Sequence, residues 1–273
     1  MEIRIGYDLA FSSSTPTPTI LMLSVHPSRL EDLSEPQQIE FDPPIPSPAY
    51  TDHFGNICTR VVMPPGTLSI AGHNVIRDSG LPDAVGPDAG QIAVENLPDE
   101  ALEFLLGSRY CETDRFSDTA WSLFGRLPPG WARVQAICDY VHDHMTFSYP
   151  DARSTRTAGD GHQERVGVCR DFAHLAITLC RCMNVPARYC TGYLGDIGVP
   201  PVPDPMDFSA WFEVLLEGGW YTFDARHNQP RTGRILMARG RDAADVAFST
   251  SFGPARLADF RVITDELPSD CRI

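Results

Sequence analysis

Nowhere in the 273-residue chain do eighteen uncharged apolar residues follow one another, and about that many are needed for a helix to cross a bilayer. The start, Met1-Glu-Ile-Arg-Ile-Gly-Tyr-Asp8, has no apolar run behind a basic segment, so no secretory leader is read there. A cytoplasmic protein is the expectation. Positive charge is scarce: 22 Lys and Arg stand against 36 Asp and Glu, a formal net charge of -14. Phosphate-rich surfaces would be repelled over most approaches, so neither nucleic acid nor a membrane is an expected partner. Internal repeats and low-complexity tracts are lacking as well. Cysteine is sparse for a disulfide scaffold, with eight residues at 58, 111, 138, 169, 180, 182, 190 and 271, and reduced thiols are expected in a chain able to build its own core. Cys180-Arg-Cys182 has one residue between its sulfurs where structural zinc sites want two to four. No metal site and no cofactor is expected.

What is present divides into two halves. From about residue 2 to 78 the chain reads as short strands broken by turn-formers. Ile3, Ile5, Tyr7, Leu9 and Phe11 alternate with polar partners, and Thr19 to His26, Ile57 to Met63 and Thr67 to Arg77 are further strand candidates. That spacing predicts an antiparallel sandwich or barrel. Residues 79 to 98, rich in Gly, Pro and Asp, read as a connecting loop rather than a packed element, which places a boundary between residues 1–98 and 99–273. Helical spacing follows at Glu100 to Leu106, Ser117 to Phe124 and Pro129 to Met145. The fold class is therefore α+β.

The chemistry is concentrated in Gly167-Val-Cys169-Arg-Asp-Phe-Ala-His174-Leu-Ala-Ile-Thr-Leu-Cys-Arg-Cys-Met183. Phe172, Leu175, Ala176, Leu179 and Met183 recur at helical steps, so one helix face is buried and Cys169 sits in the first turn. A helix N-terminus there lowers a thiol's pKa and offers amide hydrogens to an oxyanion. Taken alone, Cys169 is equally a small apolar residue at a helix start. Downstream, Ala187 to Tyr193, Asp207 to Leu216 and Trp220 to Asp224 read as three antiparallel strands, the last two joined at Gly218-Gly219. A cysteine-bearing helix followed by such a meander is the assembly of a papain-like site.

The segments Gly-Val-Cys-Arg-Asp-Phe-Ala-His-Leu, Ala-Arg-Tyr-Cys-Thr-Gly-Tyr, Asp-Phe-Ser-Ala-Trp-Phe-Glu and Trp-Tyr-Thr-Phe-Asp-Ala-Arg-His-Asn resemble the bacterial transglutaminase-like cysteine proteinases. The resemblance runs from about residue 100 to 255, and the strand-rich first half is similar to the N-terminal domain such proteins carry. It implies a papain-like core with Cys169 as nucleophile and Asp224 as the carboxylate that orients an imidazole. It also implies a histidine at the third position of Asp207-Phe-Ser209-Ala-Trp211, where this chain has serine. A hydroxyl neither draws a proton from a thiol near neutrality nor protonates a leaving amine, and loss of the base from such a unit costs orders of magnitude in rate. Impaired turnover is the expectation. Three origins remain open: an engineered inactive variant, a natural pseudoenzyme, or an enzyme that borrows its base.

His227 is the residue available for borrowing, since a Glu217-Gly218-Gly219 turn would set 209 and 227 opposite each other; a structural or substrate-contact role is the alternative. Trp211 could wall a substrate site or belong to the core, and Gln163 could supply a second oxyanion donor or simply be a polar loop residue. His174 is expected to pack within its helix, and Asp171 to favour the helix dipole. His142 and His144, two apart, cannot share a helix face as metal ligands. Arg239 or Arg241 could receive an acidic substrate group, but an ion pair with Asp242 or Asp245 is preferred. The resulting expectation is attack by Cys169 on a peptide or carboxamide carbonyl through a thioester. The rivals are a non-catalytic peptide-binding pseudoenzyme and an unrelated papain-like fold whose base is His162 or His227.

Overall fold

The computed structural model describes residues 1–202 and 206–268. The N-terminal half contributes strands β1 (Glu2–Ser13), β2 (Thr17–Leu21), β3 (Glu40–Asp42), β4 (Ala49–Thr51), β5 (Ile57–Met63) and β6 (Gly66–Arg77). Then follow α1 (Asp99–Leu102), α2 (Thr113–Phe124), α3 (Trp131–His144), β7 (Thr146–Phe147), α4 (Ala158–Glu164), β8 (Val166–Gly167) and α5 (Cys169–Cys182). The chain ends in β9 (Ala187–Tyr193), β10 (Ser209–Leu216), β11 (Gly219–Phe223), β12 (Ile235–Gly240), β13 (Ser249–Ser251) and β14 (Ala255–Leu267).

Three four-stranded antiparallel sheets carry the architecture, in the orders β14-β1-β6-β3, β13-β2-β5-β4 and β11-β10-β9-β12. The alternation read in β1 is physical: Ile3, Ile5, Tyr7, Leu9 and Phe11 all point into one core shared with Leu21, Val61 and Met63 of the second sheet. That core continues into Tyr193 of β9 and Ile235 and Met237 of β12, so the first two sheets are packed on the back of the third. Two strands from beyond residue 248 return to the N-terminal sheets, β13 onto β2 and β14 along the whole of β1. The strand-rich region therefore draws on both ends of the chain, residues 249–251 and 255–267 joining the strands of residues 1–98. Only the first part of Thr19 to His26 stays with β5; Met22 and His26 instead donate their amides to Phe248 and Leu236.

Helix α5 is buried on every face rather than on one, with each residue from Asp171 to Cys182 below a tenth exposed. Helices α2, α3 and α4 cover one side while β9 and β10 cover the other. Its polar groups are tied off accordingly. Arg181 donates to Ala187 O at 2.8 Å and Leu106 O at 3.0 Å, and Thr178 Oγ1 to His174 O at 2.7 Å.

Residues 79–98 lack a long element, yet they are fastened to the core more firmly than a connecting loop. Asp83 pairs with Arg234 at 2.8 Å, Gln91 Nε2 donates to Met183 O at 2.9 Å, and Trp131 N donates to Ala89 O at 2.9 Å. The seven cysteines among the described residues are free thiols, and Cys271 lies outside them. Among the described residues no helix is long and apolar enough to cross a membrane.

Candidate active site

Cys169 is the first residue of α5, entered from β8 through the extended Val168. Asp171, fully buried, folds back so that its Oδ2 accepts the Val168 N–H at 3.0 Å, satisfying a donor the helix start would otherwise strand. The fold-back passes over Gly167, where a β-carbon would lie 2.7 Å from Asp171 Cβ, so the position before Val168 has no room for a side chain. Arg156 and Arg170 neutralise the carboxylate at 3.1 and 3.2 Å. Asp171 thus caps the helix and takes no place in the cavity.

Ser209 begins β10 and pairs with Gly192 of β9. A β-carbon on Gly192 would meet Ile235 O at 2.0 Å, so glycine is what lets β9 sit tightly between β10 and β12. The Ala210 amide of this strand acts on the Cys169 thiol in the direction that lowers its pKa. Beside it, Ser209 Oγ is buried without a hydrogen-bond partner.

Asp224 follows the last residue of β11. Its Oδ1 accepts the backbone N–H groups of Arg226 and His227 at 3.0 and 3.1 Å. Its Oδ2 accepts from Arg234 at 2.9 Å and from His227 Nδ1 at 2.8 Å. Burial pushes the carboxyl's pKa up, but the Arg234 guanidinium and the bonds from His227 outweigh burial and hold it well below the usual carboxylate range. The chain curls here because Asn228 N donates to Asp224 O at 2.7 Å. The expected cross-hairpin pairing of 209 with 227 is therefore not formed. The β10–β11 ladder ends at Phe212 and Phe223, and His227 is delivered to the site by the turn beyond it.

Cys169, Ser209, His227, Asp207, Arg226 and Arg231 line one cavity of about 240 Å³. Part of Cys169 faces that cavity, yet burial pushes its thiol up to about 11, with Asp207 and Asp224 adding to the shift and Arg226 and the Ala210 N–H opposing it. The lowering expected from the helix end alone is outweighed by desolvation and two carboxylates. Burial likewise lifts Asp207 to about 6, against the Phe208 amide and Arg226. Arg226 lays its guanidinium 3.7 Å from the centre of the Phe147 ring.

The other candidates lie elsewhere. Gln163 is exposed on α4 and does not line the cavity, because the α4–β8 turn points it outward. Trp211, two residues along β10 from Ser209, is 2% exposed, sits under Arg234 at 5.1 Å and does not line the cavity; it is packing, not a cavity wall. His174 is buried between Tyr110 and Tyr189 and accepts the Ala243 N–H at 3.2 Å. His162 bonds Tyr140 Oη at 2.9 Å and stacks on His144, which removes it as a base. Arg241 pairs with Asp245 at 2.9 Å, the preferred reading, and Asp242 accepts the Tyr110 amide. Sequence reasoning missed Arg234, Asp207 and Arg226. Asp207 and Arg226 stood as charged residues within the quoted motifs, which was the available signal.

Residues 122–225 match the family model of the transglutaminase-like superfamily. An uncharacterised protein of Mycobacterium tuberculosis is 31% identical, with 71% of this chain and 68% of the relative covered. One from Mycobacterium leprae is 25% identical, with 77% of each covered. A crystal structure of a candidate cysteine protease from Cytophaga hutchinsonii is similar at 30% identity and a TM-score of 0.86, over 99% of this chain and 92% of that one. The cysteine-headed helix, the four-stranded sheet against it and these relatives agree: the chain belongs to the transglutaminase-like superfamily.

Proposed function

We propose that the chain is a thiol enzyme acting on peptide or carboxamide carbonyls through a thioester on Cys169. The observation that carries this is the placement of Cys169 on the N-terminal residue of a buried helix, in one cavity with His227, whose ring is bonded to the ionised Asp224. In the reaction the Sγ–H proton leaves, Sγ bonds the carbonyl carbon, and the carbon–nitrogen bond breaks as the departing nitrogen gains a proton. Water or an amine then attacks the thioester and frees the thiol. The helix-end amides stabilise the oxyanion.

The hydroxyl at 209 and the raised thiol favour a second reading, a cleft that binds a peptide without turning it over. Both are decided by incubating the protein with an activated ester of a short acyl chain and locating the adduct by peptide mass spectrometry. An acyl group on Cys169, lost in Cys169→Ala, supports the enzyme; an unmodified Cys169 together with saturable peptide binding supports the binder. The chain contains no lysine, so an added amine probe meets no ε-amine of the protein itself, and its incorporation separates amine transfer from hydrolysis.

A further inference from the structure

We propose that His227 is the catalytic base of this site, oriented by Asp224 in place of the imidazole that position 209 lacks. The inference rests on the Cys169 thioester reading. An ionised carboxylate only accepts hydrogen bonds, so the 2.8 Å contact fixes His227 with its proton on Nδ1, directed at Asp224 Oδ2. Nε2 then carries the free lone pair. The side chain is a fifth exposed, and the residue lines the cavity that also holds Cys169 and Ser209.

Three features of the surroundings fit this role. Asp224 is anchored by two backbone amides and Arg234, so the ring is held by a group that does not itself move. Serine at 209 is smaller than histidine, leaves its hydroxyl unpartnered and lines the same cavity as Cys169 and His227. The thiol, pushed up by burial, holds its proton near neutrality and needs an acceptor during attack. His227 Nε2 takes that proton, directly or through one water, as Sγ bonds the carbonyl carbon. Asp224 stabilises the imidazolium, which returns the proton to the departing nitrogen. In the second half the ring draws a proton from water as its oxygen attacks the thioester, and returns it to the sulfur as the carbon–sulfur bond breaks.

Several charged groups surround the ring. Asp224 and Arg234 lie on the Nδ1 side, Arg226 belongs to its own turn, and Cys169, Asp207, Asp196 and Arg231 face the same cavity. The experiment is the rate of Cys169 acylation by p-nitrophenyl acetate from pH 5 to 10 in the full chain, His227→Gln, His227→Gly, Cys169→Ala and the surface control His73→Gln.

The expected result is a loss of about 100-fold or more in His227→Gln, with the parent's pH profile replaced by a single rise tracking the thiolate. Free imidazole should restore part of the rate in His227→Gly, while His73→Gln keeps the parent profile. A His227→Gln profile within about twofold of the parent, with Cys169→Ala still silent, overturns the role of His227 and leaves the thioester reading standing. Failure of the parent chain to acylate Cys169 overturns both.

Discussion

Arg234 Nη2 lies 2.9 Å from Asp224 Oδ2, a pair whose side chains are 7% and 3% exposed, while Arg234 Nε reaches Asp83 at 2.8 Å. One guanidinium therefore ties the crossing loop of residues 79–98 to the carboxylate of the candidate site. Replacing it with methionine would leave Asp224 buried with less compensation. A destabilisation of about 3–5 kcal/mol is expected for Arg234→Met, since breaking a buried pair leaves the partner's charge stranded. Chemical denaturation of the variant and of Asp83→Asn checks this, and the milder loss should belong to Asp83→Asn, whose carboxylate is not part of the site.

Asp224 also sets an acid limit. Its folded-state pKa is depressed, so its contribution to stability is fully present above the unfolded value of about 4 and is lost as pH falls from there toward the folded value. Thermal unfolding between pH 5 and 2 should show a steeper decline in the parent chain than in Asp224→Asn. Parallel curves would count against the ion-paired carboxylate.

Asp207 has the opposite sign. Burial lifts it to about 6, so the fold favours its neutral form and loses stability as pH rises from about 4 through 6. Asp207→Asn should therefore gain on the parent over that range, by roughly 1–3 kcal/mol at pH 7 and above. The same change removes the leading charge that raises Cys169, so iodoacetamide should modify Cys169 several-fold faster at pH 8. Mass-resolved alkylation kinetics measure it, and an unchanged rate would show that Asp207 does not govern the thiol.

Gly192 spaces β9 from its neighbours. Gly192→Ala places a methyl 2.0 Å from Ile235 O, a backbone atom that cannot swing away, and should cost about 1–3 kcal/mol or more. Denaturant midpoints would report it, and Cys169 alkylation should change with it, because Gly192 pairs directly with Ser209.

Truncation after residue 254 tests how the two ends are joined. It removes β14, the buried Val262 included, and uncovers the full length of β1 along that edge. The expected outcome is a poorly soluble product with an exposed sheet edge. A monomeric, cooperatively folding fragment would show that the N-terminal strands suffice alone.

Residues whose environment is set by near neighbours were readable directly. The strand Ile57–Met63 was read with its observed bounds, β1 declared its facing residues through period-two spacing, and 3.6-residue spacing located α5 although burial on all its faces was not visible there. The hairpin register was not readable, because strand β11 stops at Phe223 and a local turn takes over, so His227 meets Asp224 rather than standing opposite Ser209. The thiol's environment was misjudged for the same kind of reason. A helix start is visible in one dimension, whereas the desolvation of Cys169 and the carboxylates near it come from segments about 40 and 55 residues downstream.

By itself the sequence determined the pattern of strands and helices, the cysteine at the head of α5, the carboxylate at 224 and the serine at 209, because local spacing and residue type are written in order along the chain. Only the tertiary structure decided that β13 and β14 complete the N-terminal sheets, that Arg234 locks Asp83 to Asp224, and that His227 donates its Nδ1–H hydrogen bond to that same carboxylate. Such contacts arise when distant segments lose their water together, and no local periodicity encodes which of them meet.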